Sequence, residues 1–132
     1  MFGKKPIFDD PLLGPLAWSA GHWWTSALVS SDGDVTFRIA GSLEGPTSHA
    51  LERAKSTLSE SGQLVAAAKA YVLIDPEASE SCQGHGELLL DGFSVSDEGR
   101  LNVELALSGW PDAMITVTFS AEMIPCKASL AD

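Results

Sequence analysis

Residues 34–58, DVTFRIAGSLEGPTSHALERAKSTL, decide the fold, because the spacing of apolar residues changes partway along them. As far as Ile39, the apolar Val35, Phe37 and Ile39 alternate with Asp34, Thr36 and Arg38, the period of a half-buried strand. Beyond Gly45-Pro46 the apolar residues fall at Leu51, Ala54 and Leu58. The same phase continues across Ser61-Gly62 to Val65, Ala68 and Val72, which is helical spacing. Thr47 or Ser48 can cap the start. The pattern predicts one long helix, with Gly62 as the place for any kink. Asp75-Pro76 ends it, since proline disfavours helical geometry in the residue before it.

Strand-like runs lie on both sides. PLLGPLAW is broken by Gly14 and Pro15 and suits an edge or bulged strand. HWWTSALVSS follows the turn residues Ser19-Ala20-Gly21, and Asp32-Gly33 is a dipeptide favoured in two-residue hairpins. After the helix, DPEASESCQGHG (75–86) shows no period and reads as an irregular connection. Three strands follow. ELLLDGFSVS runs to a turn at Asp97-Glu98-Gly99. RLNVELALS sets Leu101, Val103, Leu105 and Leu107 against Asn102, Glu104 and Ala106. After Trp110-Pro111-Asp112, MITVTFSAEM turns Ile115, Val117, Phe119 and Ala121 inward.

The expected architecture is α+β: a single domain, 1–132, with a six-stranded, mainly antiparallel sheet (βββ-α-βββ) and one long helix packed on one face. Six strands spaced about 4.8 Å apart span roughly 25 Å. A helix of roughly 40 Å laid across them covers one face. The other is left to solvent, to a second subunit or to a partner.

Composition narrows the function classes. Eighteen acidic against eight basic residues give a net charge of −10. That argues against nucleic acid, whose binders must neutralise phosphates. From Asp75 to Gly99 there are seven acids and no Lys or Arg, a solvated face or a docking surface for a basic partner. No apolar run approaches the roughly 18 residues of a membrane span, and MFGKKPIFDDPLLG does not read as a signal peptide. Two cysteines, Cys82 and Cys126, make no disulfide framework, so a reduced, cytoplasmic protein is expected.

Motifs for catalysis are scarce. Cys82-Gln83-Gly84-His85 has the C-x-x-H spacing of two metal ligands, with Cys126 or His22 to complete a set. Structural zinc sites usually draw on two close pairs, and no second pair is present, so neither metal nor cofactor is expected. Cys82 or a serine could be activated by His22, His49 or His85, but no nucleophile elbow accompanies them. His49 falls in the first helical turn, where its cation is disfavoured. Asp32-Gly33-Asp34 and Asp97-Glu98-Gly99 are turn chemistry. A non-catalytic protein is expected. The alternative is a small-molecule binder or enzyme using a pocket between the helix and the 75–86 connection, with Cys82 and His85.

WSAGHWW (18–24) holds three of the four tryptophans. Regular strand geometry sends Trp23 and Trp24 to opposite faces. One packs under the helix, with Val29 and Phe37 nearby; the other lands on the open face beside Arg38. There it either stacks under the guanidinium or anchors a partner, since Trp and Arg are enriched at interface hot spots. Trp23, Trp24 and Arg38 are therefore the candidate partner-binding residues. Trp18 shares the face of Leu16 and reads as core.

Asp10-Pro11-Leu12-Leu13-Gly14-Pro15-Leu16 with Trp18 precedes a helix and then ELLLDGFSVSDEGRLNVELAL and ITVTFSAEMIPCKASLAD. In this layout the chain resembles small bacterial domain families of unknown function. They share a D-P-x-x-G-x-L stretch, a tryptophan hairpin, a helix and a C-terminal meander, and some of their neighbours are immunity proteins of toxin systems. The resemblance implies a protein-binding module of immunity or scaffold type and carries over no catalytic residue; SESCQGHG departs from it. The expected partner is a protein, basic on charge grounds, or a second copy through the open sheet face.

Overall fold

A computed structural model describes residues 6–30 and 33–131. Its elements are β1 (Ile7–Asp10), β2 (Gly14–Ser19), β3 (His22–Thr25), β4 (Leu28–Ser30), β5 (Gly33–Val35), β6 (Phe37–Ile39), β7 (Gly41–Ser42), β8 (Gly45–Pro46), α1 (Ser48–Ser59), α2 (Ser61–Ile74), α3 (Pro76–Cys82), β9 (Leu88–Val95), β10 (Leu101–Leu107), β11 (Trp110–Phe119) and β12 (Pro125–Ala131). The class is α+β and the sheet mainly antiparallel.

The main sheet has eight strands in the order β1-β2-β3-β6-β9-β10-β11-β12. All its pairings are antiparallel except β6–β9, which joins the two chain halves in parallel through Phe37↔Phe93, Arg38↔Ser94 and Ile39↔Val95. Two short ribbons, β4–β5 and β7–β8, complete the strands. The sheet is therefore wider than the six strands expected. Ile7–Asp10 and Pro125–Ala131 form its edges, and neither has the apolar alternation of a half-buried strand.

Local chemistry explains where the boundaries moved. The PLLGPLAW run is split by the Asp10–Gly14 turn: the Asp10 Oδ2 accepts the amides of Leu12 and Leu13, both at 2.9 Å, and Gly14 takes φ +77°. HWWTSALVSS is two strands, because the Thr25 Oγ1 accepts the Phe37 amide at 2.9 Å where a ladder carbonyl would have stood. The chain then leaves as the β4–β5 ribbon, whose Val29 is 83% exposed rather than packed beneath a helix. The expected Asp32-Gly33 turn falls partly outside the described residues, as does the start of the chain through Lys5. Trp110-Pro111-Asp112 belongs to β11, and the turn before it is Ser108-Gly109.

The single long helix is instead α1 and α2, interrupted only at Glu60 (φ −117°, ψ 18°), two residues before Gly62. Glu60 caps both, donating to the carbonyls of Ser56 and Thr57 and accepting the Leu64 amide. Thr47 occupies the α1 N-cap, but its hydroxyl bonds the Asp97 carbonyl instead of capping. Asp75-Pro76 ends α2 and also starts α3: the Asp75 carboxylate accepts the Ala78 amide at 2.9 Å, and proline at the first helical position needs no N–H partner. Residues 76–82, expected to be irregular, are thus helical, in a helix too short to display a period.

All three helices lie on one sheet face, α1 over β6 and β9, α2 over β10 to β12, and α3 against β12. The β7–β8 ribbon and Leu13 cover the same face over β1 to β3. Beneath them is one continuous core, including Trp23, Phe37, Phe93, Val103, Ile115, Val117 and Phe119. Phe37 and Phe93 stack at 4.8 Å across the parallel junction. Lys55 on α1 meets Asp10 at 3.0 Å and ties the helix to the first turn. Burial would raise the Asp10 pKa, but the Leu13 amide, the Lys55 ammonium and the Leu12 amide outweigh it and hold the carboxyl below its ordinary value.

Candidate functional site

Among the described residues, the helices leave the other sheet face uncovered. Register alone aligns one row of side chains across all eight strands there: Ile7, Ala17, Trp24, Arg38, Ser94, Asn102, Thr118 and Lys127. Strand neighbours in register share a face, so Trp24 is placed beside Arg38 by the β3–β6 pairing. The Arg38 Cζ lies 6.0 Å from the centroid of the Trp24 ring, at the limit of a cation–π contact. The Trp24 indole donates to the Ser19 carbonyl at 2.8 Å, which restrains the ring.

Trp23 takes the opposite face. It is 1% exposed, donates from Nε1 to the Ser42 carbonyl at 2.8 Å, and lies 5.5 Å from Trp18 and 6.3 Å from Phe8. Of the three candidates, Trp24 and Arg38 thus share the uncovered face, and Trp23 belongs to the core. Trp18 is half-buried against Trp23.

Two further residues join the pair. Glu104 on β10 reaches the Arg38 Nη2 at 3.5 Å, with its side chain 15% exposed. Burial raises the Glu104 carboxyl above its ordinary range; Arg38 offsets part of this, and Asp91 adds to it. Ser94 is 5% exposed and sits beside Arg38 in register. The Arg38 Nε and the Ser94 Oγ are the buried side-chain polar atoms without a hydrogen-bond partner among the described residues. Buried polar groups are normally satisfied, so an unpaired donor and hydroxyl together mark a place where a further acceptor would be welcome. Glu104 was already legible as open-face from its alternation. Ser94 was not, because its position depends on the parallel junction and on a bulge at Asp91 that shifts the register of β9 on β10.

An open groove of about 820 Å³ lies between α2, α3 and the start of β9. Its walls include Lys69, Leu73, Glu80, Cys82, Glu87 and Leu88. Of Cys82 and His85, the groove lining includes Cys82. Cys82 is buried on the groove wall, and desolvation pushes its thiol pKa up. The His85 ring instead lies 4.7 Å from that of Trp110. No group of three or more His, Cys, Asp or Glu residues that could hold a metal occurs among the described residues. Among the same residues no helix is long and apolar enough to cross a membrane.

The D-P-L-L-G stretch acts as a turn lock: Asp10 organises the turn, Leu13 is fully buried, and Gly14 supplies the positive φ. Comparison with protein-family models, curated proteins and solved structures returns no match for the chain.

Proposed function

We propose that this chain is a non-catalytic, cytoplasmic protein-interaction module that engages a protein partner through the uncovered face of its sheet, with Trp24 and Arg38 as anchors. The observation that carries the reading is one-sidedness: three helices and a ribbon cover one face of eight strands, and the opposite face presents a Trp–Arg pair with unsatisfied polar atoms beside it. Trp and Arg at the centre of a flat surface are the residue types that dominate binding energy. The resemblance to small bacterial families with immunity-protein neighbours favours an immunity or scaffold role.

Capture from cells of the source organism tests this, comparing wild type with Trp24→Ala, Arg38→Ala and a control at Val29, which lies off the sheet. A stoichiometric protein retained by wild type and Val29→Ala and lost by both sheet variants supports the reading. Equal retention by all four, or none, refutes it. Light scattering covers the homotypic case: a dimer that Trp24→Ala dissociates makes the partner a second copy.

A further inference from the structure

We propose that the groove between α2, α3 and β9 is a second docking surface, and that its occupant is an apolar protein segment carrying lysine or arginine. This rests on the interaction-module reading but places contact on the helical side of the molecule, away from Trp24. Three properties of the groove converge on such an occupant.

Its surroundings are apolar where solvent should favour polar residues. Leu73, on the groove wall near the end of α2, is 67% exposed, and its neighbour Ile74 is 77% exposed. Exposed apolar side chains at a groove mark interaction sites. Leu73 and Leu88 also line the groove, with the buried Cys82 between α3 and the sheet.

Its shape is held before anything binds. Gly109 donates to the His85 carbonyl at 2.7 Å, Ser108 to the Glu87 carbonyl at 2.9 Å, and the Glu87 amide to the Ser108 hydroxyl at 2.8 Å. The connection from α3 to β9 is thereby strapped to the β10–β11 turn. At Gly86 (φ +88°) a Cβ would collide with the Ser108 hydroxyl. Preorganisation of this sort lowers the entropic cost of association.

Its charge selects the partner. Glu80 and Glu87 line the groove, and Glu77 lies in the first turn of α3. Lys69 is the one cation on the walls among the described residues, and Asp75–Gly99 contains no Lys or Arg. A basic segment is attracted here and an acidic one repelled. The groove is open to solvent rather than an enclosed cavity, which suits a protein segment.

Fluorescence anisotropy with the full-length protein tests the proposal. The probes are labelled amphipathic peptides of about 14 residues, a length of four turns, built from Leu and Lys, from Leu and Glu, or from Ser and Lys. The Leu/Lys peptide should bind and weaken with salt, and the other two should bind at least about tenfold more weakly, a difference of about 1.4 kcal/mol. Leu73→Ser should cost a similar factor. Glu80→Gln with Glu87→Gln should weaken binding several-fold more than Glu44→Gln with Glu122→Gln, which changes the net charge equally at distant exposed sites. Trp24→Ala should leave the affinity unchanged, so loss of the sheet-face partner and loss of this site are read separately. Equal binding of all three peptides, equal effects of the two glutamate pairs, no binding, or abolition by Trp24→Ala would each overturn the proposal.

Discussion

Replacing Trp23 and Trp24 by alanine, one at a time, separates the two sheet faces energetically. Trp23 is buried under the β7–β8 ribbon, between Phe8 and Trp18, with its indole N–H on the Ser42 carbonyl. Large-to-small substitution at such a site costs about 3–5 kcal/mol. The lost hydrogen bond is worth about 1 kcal/mol of that. Trp24 is half-buried on an uncovered face, and its contact with Arg38 is worth about 0.5–1 kcal/mol; with its partial burial, Trp24→Ala should cost about 1–2 kcal/mol. Urea unfolding followed by far-UV circular dichroism, which does not depend on the indoles being removed, reads the difference. With a slope of about 2 kcal/mol per molar, the two midpoints should differ by about 0.5–2 M, with that of Trp23→Ala the lower. Trp23→Phe should fall between them, since it keeps most of the volume and loses only the N–H. Coincident midpoints, or a lower one for Trp24→Ala, would refute the face assignment and place an irregularity in β3.

Two carboxylates should show opposite pH behaviour. The Asp10 pKa is lowered in the fold, so its contribution is complete above the unfolded value of about 3.9 and is lost as pH falls through the folded value; Asp10→Asn should lower stability at pH 7 and flatten the acid limb of a melting-temperature profile. The Glu104 pKa is raised, so stability linked to it is present in acid and lost as pH rises through the folded value; Glu104→Gln should match or exceed wild type at pH 7. Native iodoacetamide labelling read by mass spectrometry should modify the exposed Cys126 first, with Cys82 reacting at a comparable rate only after denaturation. A Cβ at Gly41 would meet the Gly45 carbonyl and lie 2.6 Å from the Pro46 Cα. Gly41→Ala should therefore loosen the ribbon over Trp23, lowering the melting temperature and red-shifting tryptophan emission.

Residues 101–107 and 113–119 were legible because each strand there buries one face and turns the other outward, so alternation in the sequence maps directly onto the sheet. The helical phase from Leu51 to Val72 was legible for the same reason. The edges were not: Ile7–Asp10 is four residues long, and Pro125–Ala131 alternates only between half-buried and exposed positions. The α3 helix carried its signal in Asp75-Pro76, a pair that ends one helix and starts the next, and only the ending had been read. Pairing Trp24 with Arg38 followed from hairpin logic. Adding Ser94 required knowing that β6 meets β9 in parallel, a contact that nothing local in either strand announces.

That junction also has a consequence during synthesis. Every other neighbouring pair in the main sheet lies close in sequence, whereas β6 must wait until the helices and β9 have been made. At about 5–20 residues per second, the N-terminal half stands for several seconds with its last strand unpaired. An unpaired strand is a template for joining another nascent chain, and a charge in its middle is the usual safeguard. Arg38 occupies the centre of Phe-Arg-Ile, flanked by two residues that are fully buried once the sheet closes. We expect Arg38→Val to shift freshly made protein toward inclusion bodies by more than the modest loss of stability from its contacts with Trp24 and Glu104 accounts for, read by comparing it with Trp24→Ala and Glu104→Gln. The guanidinium that marks the binding face in the finished molecule would then have served first as a guard on its growing edge.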